Sequence, residues 1–532
     1  LDRLARYSGM DATAAAPPAT SLPAFGDHRE DLREKHAHAG VAMAIATLAM
    51  GLTSGIQALL YLNSFGIGGR TDGFFVAFAL YSSFGVFSQS IRVTSAPLLV
   101  GDRSRLTPRE LAIALVAIAV PVGIATIALA GPMASLLAPG LGETGRGVTE
   151  SALPILGLAM ILQLWAAGGA TLLAVRDRFD RIAFAYIAGA VSGLVVYLAV
   201  SSAAGELSLG WSMLAMAVVT CAAMLDGVRT SRAPAETTAS LPRPTGILRR
   251  FSRSTLLVLG STAIYLAFNA LYVITLAFAS NYNHGAATVL SYAYLFASYL
   301  VAATGFALGM SRIADMRRGA LADWREVIAD TVPAGFRYSM LLVAPALAAL
   351  VAGGATLIGE VLPKSFSAAD ASQLRSFSAL LGAWTVAALL VNLLLPALFA
   401  LGRSKLVNLL APVIVILHIA VTALGGVLFG AEGVVGAFFV VPLAFAAVLL
   451  FAGAGRESGS IAQELAKDGL RFALLAGVSF GIGAAIGNTL ASGIAAPLLT
   501  LTIGSLLYAL IGLRLAGSQV KLLLGAVRPA SA

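Results

Sequence analysis

The sequence predicts an all-α polytopic membrane protein. Fourteen transmembrane helices are expected, as two six-helix lobes in parallel pseudo-repeat plus a C-terminal helix pair. Three observations carry this. The 532 residues are 58% hydrophobic and only 11% charged, where a soluble globular domain carries about 25% charged residues. Uncharged apolar runs of about 20 residues, each enough for a ~30 Å hydrocarbon core at ~1.5 Å rise per residue, recur along the whole chain. Lysine and arginine fall in alternate connections between those runs, as they do when basic loops stay on the cytoplasmic side.

Read in order, the candidate spans are roughly 39–62, 73–99, 110–131, 152–175, 181–201, 207–226, 254–280, 285–310, 335–358, 376–401, 406–428, 432–453, 470–489 and 493–514. They are helices rather than barrel strands, because the runs are far longer than about 10 residues and lack two-residue alternation. With the N-terminus inside, the inside segments hold 30 Lys and Arg and the outside loops hold 4, namely Arg70, Arg146, Lys364 and Arg375; Arg92 lies within the second span. A wrong helix count would scramble this alternation, so both termini are expected in the cytoplasm. Thirty of the 35 basic residues are arginine, and with abundant Ala and Gly this suggests a GC-rich bacterial genome; the expected location is a bacterial plasma (inner) membrane.

Residues 1–38 read as a disordered cytoplasmic tail; they carry charges throughout and paired prolines, Pro17 and Pro18, unlike a signal peptide. Residues 39–226 form the expected N-terminal lobe and 227–253 a basic cytoplasmic linker rich in Pro, Ser and Thr. The C-terminal lobe is 254–453, helices thirteen and fourteen occupy 454–514, and 515–532 is a cytoplasmic tail. Six spans is an even number, so both lobes begin inside and share orientation, as parallel repeats about an axis along the membrane normal. Gln57-Ala58-Leu59-Leu60-Tyr61 and Asn269-Ala270-Leu271-Tyr272 are a brief correspondence between helices one and seven.

This composition excludes a soluble enzyme. It also excludes a nucleic-acid partner despite the net charge of +9, because the basic residues sit between apolar spans. The one cysteine, Cys221, rules out an intramolecular disulfide framework and a four-cysteine metal site. No Gly-Lys pair and no HExxH motif occurs, so neither a Walker lysine nor a zincin site is available. No catalytic residue, metal or cofactor is expected. Work would come from a gradient or the membrane potential, or the movement is passive.

Charge inside the spans is the usual pointer to a transport site, and little is present. The 26 Asp and Glu residues fall in tails, loops or the first or last turn of a span, with Asp72 at the outer mouth of helix two and Asp226 at the inner end of helix six. Without a mid-depth carboxylate, a proton-coupled antiporter is disfavoured, although His418 near the middle of helix eleven offers a proton relay or an interhelical hydrogen bond. Arg92, ~10 Å from the inner end at helical rise, would either meet a phosphate with its planar fork or snorkel to the interface. Gln57, Asn63, Gln89, Gln163, Asn269, Asn392 and Asn408 are polar at spanning depth and either line a wet cavity or join helices.

The substrate-binding candidates are Arg92, Asp72, Gln57, Asn63, Gln89 and Asn269; His418 and Asn392 are candidates for ion or proton coupling. Tyr265, Tyr272, Tyr292, Tyr294 and Tyr299 would stack on sugars or pack. Gly51 with Gly55, and Gly477, Gly481, Gly483 and Gly487, are spaced for close helix packing. Pro121, Pro154, Pro345, Pro396, Pro412, Pro442 and Pro497 interrupt spans and permit bending.

Between the first two spans the chain reads Ser64-Phe65-Gly66-Ile67-Gly68-Gly69-Arg70-Thr71-Asp72-Gly73-Phe74-Phe75-Val76-Ala77-Phe78. This resembles the first hairpin of the murein lipid II flippase family (MurJ/MviN) of the multidrug/oligosaccharidyl-lipid/polysaccharide exporter superfamily, with its Phe-Gly, short loop and Thr-Asp-Ala-Phe-Phe-Val-Ala-Phe. Ser88-Gln89 and Pro97 are looser echoes in the second span. The resemblance implies a V-shaped pair of lobes that moves an undecaprenyl-pyrophosphate-linked sugar from the inner to the outer leaflet. Asp72 would match the family's aspartate. Gln57 and Asn63 stand where that family has arginines in helix one, Ala79–Gly85 replaces an arginine-rich stretch, and Tyr292-Ala293-Tyr294-Leu295 replaces Tyr-Ala-Asp-Arg.

The function expected is therefore an alternating-access flippase or exporter of a lipid-linked cell-envelope precursor. Its partners would be that lipid-linked saccharide, membrane lipids and cell-envelope synthesis proteins. The alternatives are a non-transporting membrane scaffold for envelope assembly, which loss of the arginines would suit, and a cation-coupled small-molecule exporter of the multidrug type.

Overall fold

The computed structural model describes residues 49–99, 106–176, 178–231, 247–282, 285–302, 304, 324–362, 366–400 and 404–515. The expected N-terminal and C-terminal tails, most of the linker and the end of span eight lie outside the described residues. Within them the chain is helical, and no strand occurs. The helices are α1 (49–65), α2 (Gly69–Leu99), α3 (Pro108–Ala128), α4 (Ala130–Leu137), α5 (Glu143–Val175), α6 (Phe179–Ala204), α7 (Ser208–Thr230), α8 (Ile247–Ala279) and α9 (Ala286–Val301). They continue as α10 (Trp324–Ala349), α11 (Ala355–Val361), α12 (Ala368–Ala400), α13 (Ser404–Ala454), α14 (Ser458–Leu490) and α15 (Ala495–Leu515).

Local chemistry sets many of the boundaries. Before α3, Thr107 and Glu110 form a reciprocal capping box and Pro108 opens the helix, satisfying donors that would otherwise be orphaned. Glycines in the left-handed region end helices elsewhere: Gly205 (φ 55°) separates α6 from α7, and Gly455 (φ 60°) separates α13 from α14. The long α13 is two arms meeting at Gly430, whose φ of 64° and ψ of −143° are not helical. The arms fold back on each other, since His418 and Phe438 lie with ring centroids 6.0 Å apart across that glycine.

Eight stretches among the described residues are long and apolar enough to cross a membrane, the longest being Phe179–Thr230 and Leu406–Leu490, which contain these glycine breaks. Large apolar side chains face outward along them, including Leu409 (70% exposed), Val427 (84%) and Phe451 (69%). Exposed apolar surface on this scale belongs against lipid rather than water. The chain is a multi-pass membrane protein. Inside it, several buried hydroxyls are satisfied on their own helices: Thr126, Thr171, Thr262 and Thr385 each donate to the carbonyl four residues back.

Helices run past the expected spans. Span four is expected over 152–175, whereas α5 starts at Glu143; span three continues through a break at Leu129 into α4. The added turns of α5 carry Glu143, Arg146 and Glu150 and lie beyond what hydropathy registers, whereas α4 is apolar apart from Ser135. Between α10 and α11, Leu350–Gly354 forms a π-type turn, which the apolar pattern does not signal.

Three apolar cores are evident among the described residues, and two of them are large. One gathers Tyr61, Phe74, Phe75, Phe78 and Phe87 among α1, α2, α3, α5 and α7. The other gathers Tyr272, Phe336, Phe377, Trp384 and Phe438 among α8, α9, α10, α12 and α13. The tyrosines are used for packing: Tyr272 stacks on Tyr294 at 3.7 Å between ring centroids.

The pair α14–α15 packs through small residues, with space for a Cβ at Gly483 and Gly487 closed by the backbone around Thr500 and Gly504. Gly477 and Gly481 face nothing within 4 Å, so only half of that glycine run makes the close approach expected of it. An ion pair ties α14 to α10. The Nε and Nη2 of Arg337 donate to Asp468 and Nη2 also reaches Glu464, at 2.7 to 2.8 Å. Asp468 is nearly buried, so removing the cation leaves a desolvated carboxylate, at a cost of about 2 kcal/mol once partial exposure of Arg337 is discounted. Arg337→Met is expected to lower the melting temperature in detergent, and adding Asp468→Leu to recover part of the loss. Equal melting of Arg337→Met and the parent would contradict this.

Candidate functional site

The turn between α1 and α2 is held by Thr71, whose hydroxyl donates to the Gly68 carbonyl at 2.8 Å and accepts from the Gly68 N–H at 2.9 Å. Phe74 and Phe75 anchor the start of α2 by packing on Tyr61, with ring centroids 5.4 and 5.8 Å away. Asp72 lies between the turn and this aromatic anchor, so both sides fix its position.

Asp72 is wholly buried, and its carboxylate reaches α9. Oδ2 accepts from the Gly285 N–H at 2.6 Å; Oδ1 accepts from the Thr288 N–H at 2.8 Å and from the Thr288 hydroxyl at 2.6 Å. Helix α9 begins at a glycine N-cap with φ of 93° and no capping side chain of its own. The carboxylate supplies that cap from a distant part of the sequence. Charge-assisted bonds to N-terminal N–H groups are among the stronger hydrogen bonds a protein makes, and the positive end of the helix dipole adds to them.

Close contacts surround this cap. A Cβ at Gly285 would run into Ile67, and one at Gly140 would run into the backbone of Ser280 and Asn281. Tyr292 donates to the Ala58 carbonyl at 2.9 Å and sets its ring 5.1 Å from that of Phe75. Arg70 pairs with Glu206 at 3.0 Å beside it. This is the Asp72 end of the molecule, where residues 58–75 and 140 meet residues 280–292.

The other sequence candidates lie apart from this seam or are bonded elsewhere. Gln57 is buried and donates to Ser212 at 3.0 Å, joining α1 to α7. Asn63 is exposed near the end of α1. Asn269 donates to the Tyr265 carbonyl and Asn392 to the Ala388 carbonyl, each on its own helix, at 2.9 and 2.8 Å. Asn408 donates to the Gly260 carbonyl of α8. Gln163 of α5 is half-buried, its buried Oε1 without a partner among the described residues. The side chains of Gln89 and Arg92 lie outside the described residues.

His418 sits in the second core, fully buried, with Nε2 at 2.9 Å from the Thr275 hydroxyl and 3.1 Å from the Leu271 carbonyl, both on α8. Sequence reasoning missed Gly140, Gly285 and Thr288. The signal for Gly285 was an apolar run with no Ser, Thr, Asp or Asn directly before it, which asks for a cap from outside. Nothing local marked Gly140.

No family model matches the chain, and no curated protein matches it. Solved structures do. The lipid II flippase MurJ in an inward closed conformation superposes with a TM-score of 0.67 at 14% identity, covering 91% of this chain and 99% of that one. An inward-facing multidrug resistance MATE family transporter of the MOP superfamily gives 0.60 at 12% identity, covering 79% and 99%. A MOP superfamily transporter from Pyrococcus furiosus, described by the reverse polarity of its binding pocket, gives 0.58 at 13% identity, covering 80% and 96%. The fold of this chain is therefore that of the multidrug/oligosaccharidyl-lipid/polysaccharide exporter (MOP) superfamily.

Proposed function

We propose that the chain is an alternating-access flippase or exporter, not an enzyme. It would move a lipid-linked cell-envelope precursor, peptidoglycan lipid II or a related undecaprenyl-linked saccharide, from the inner to the outer leaflet of a bacterial plasma membrane. The proposed layout is fourteen crossings with both termini cytoplasmic: lobes at 39–226 and 254–453, the linker 227–253 between them, and an added helix pair in 454–514. On that layout the Asp72 end faces outside.

The observation that carries the reading is the seam at Asp72. Two helix sets meet there through one carboxylate capping a foreign helix, through glycine-to-backbone contact and through apolar side chains such as Leu62, Val76, Ala138 and Leu141, which pack into the core of the second set. The polar bonds exchange protein partners for water when the junction opens, so their net cost is far smaller than their gross strength. The arrangement suits a gate that closes one side while the other is open. The added helix pair is supported by coverage, since MurJ spans 91% of the chain and the MATE transporter 79%. A lipid-linked cargo is also what the first-hairpin resemblance implies.

The test is complementation of a bacterial strain depleted of its only murein flippase. The parent chain is expected to restore growth, and Arg92→Ala to weaken rescue if that guanidinium meets the pyrophosphate. Absence of rescue by parent protein correctly inserted in the membrane would overturn lipid II as cargo. A non-transporting scaffold is the second reading, favoured by the engagement of Gln57 with Ser212 where the flippase resemblance has an arginine. That reading would be established by a non-rescuing chain whose Asp72 end never opens to labelling.

A further inference from the structure

His418 occupies an unusual environment for an ionisable side chain. The ring is 0% exposed, and its Nε2 lies 2.9 Å from Thr275 Oγ1, 3.1 Å from Leu271 O and 3.3 Å from Thr422 Oγ1. A carbonyl oxygen can only accept, so Nε2 carries a proton and donates it. The Thr275 hydroxyl proton is itself directed at Leu271 O, 2.8 Å away, which leaves its oxygen free to accept from the imidazole. The other nitrogen, Nδ1, is buried without a partner among the described residues. The ring is thus the neutral Nε2–H tautomer with an unspent lone pair.

The groups facing it are neutral. On α8 they are Leu271 and Thr275; on the second arm of α13, Phe438 stands at 6.0 Å between ring centroids. Beyond Phe438 lie Trp384 of α12 and the phenols Tyr272 of α8 and Tyr294 of α9. The Tyr272 hydroxyl is committed as a donor to Ser291 at 2.9 Å. No carboxylate, lysine or arginine is among the polar partners of the ring in the described residues.

We propose that Nδ1 of His418 is a proton-binding site whose occupancy separates α8 from the first arm of α13. Hydronium reaching Nδ1 gives up one proton and leaves as water; the new N–H bond uses the ring's lone pair, and the ring gains one positive charge. The imidazolium then has a second donor with no acceptor and a charge with no counter-ion. Neither is tolerated in a dry apolar core. Separation of the helices and entry of water relieve both, whereas the neutral ring favours the closed contact. Low pH therefore opens this contact and high pH closes it.

Helix α8 carries both this contact and, toward its end, the Ser280 region against which Gly140 closes. A shift of α8 at His418 is thereby transmitted to the seam at Asp72. Resting on the transport reading, the proton becomes the ion coupled to the movement of cargo; the switch itself does not depend on that reading.

Hydrogen exchange by mass spectrometry on the full chain in lipid nanodiscs tests it, at pH 5 and pH 7.5 with correction for chemical exchange rates. Segments 262–279 and 406–429 are expected to exchange about tenfold faster at pH 5. That step should vanish in His418→Gln, whose amide keeps a donor toward Leu271 O but does not titrate, and in His418→Asn as a second non-titrating variant. Thr275→Val, which keeps the titrating ring, should retain it. A parent protein without the step, or variants at 418 that keep it, overturns the proposal. The measurement uses no cargo, so failed complementation leaves its outcome intact.

Discussion

Asp72→Ala is expected to open the seam between α2 and α9. The substitution removes three acceptor contacts and leaves the N–H groups of Gly285 and Thr288 without their cap. Hydrogen bonds to charged groups contribute ~1.5–3 kcal/mol each, but these act together and water replaces part of them on opening, so about 3 kcal/mol is a reasonable total. That is a shift of roughly 100-fold in the opening equilibrium. Asp72→Asn keeps the shape, yet one end of its amide turns a donor toward donors, so it should behave almost as badly as alanine. A cysteine placed at Ser280, itself buried beside Gly140, reads the result in a Cys221→Ala background. Maleimide should label it one to two orders of magnitude faster when Asp72 is alanine. Unchanged labelling would mean that the carboxylate does not hold this end shut.

Gly73→Val should produce the largest loss of stability. A Cβ at Gly73 would meet the carbonyl of Gly145, and a Cβ at Gly145 would sit 2.6 Å from the carbonyl oxygen of Gly69. The obstacle on both sides is backbone, which cannot rotate away as a flexible side chain can. Thr149 also donates to the Gly73 carbonyl at 2.9 Å, so α2 and α5 are pinned at this height. Overpacking costs about 1–3 kcal/mol where side chains can adjust, and more is expected here. Gly55→Ala is the matched control, since its Cβ meets nothing within 4 Å and replacing a helical glycine gains up to ~1 kcal/mol. Melting followed by size-exclusion chromatography in detergent should separate the two widely; indistinguishable melting would defeat the packing argument.

Much of the architecture was legible because lipid imposes a one-dimensional rule. A segment either is apolar for the thickness of a bilayer or it is not, so the helical class and most helix positions came from composition along the chain. The rule reports where hydrophobicity ends rather than where hydrogen bonding ends, which is why α5 begins at Glu143 rather than near residue 152. Glycine spacing was a weaker guide. Gly51 and Gly55 share a spacing, yet a Cβ at Gly51 would only reach van der Waals contact with Tyr299 and one at Gly55 would meet nothing within 4 Å, while Gly73 and Gly145, which no spacing marks, bring the backbones of α2 and α5 into direct approach.

The candidate site was only partly legible, for a related reason. Asp72 stood out as an acidic residue in the first turn of a span, where a carboxylate ordinarily serves its own helix. That it serves α9 depends on two segments more than two hundred residues apart meeting at one end of the molecule. Gln57, Asn269 and Asn392 stood out as polar residues at spanning depth, but polarity alone does not distinguish a side chain that lines water from one that bonds to a backbone or a neighbouring helix. Their partners are Ser212 and the carbonyls of Tyr265 and Ala388.

Sequence alone determined that this chain is helical, apolar and repeatedly membrane-crossing, because those properties are sums over local residues and hold whatever the neighbours are. Tertiary structure decided which charges are spent and on what. The cap on α9, the backbone approach at Gly73 and the enclosure of the His418 ring between α8 and the arms of α13 are relations between distant residues, and their energies exist only once the surrounding helices have excluded water.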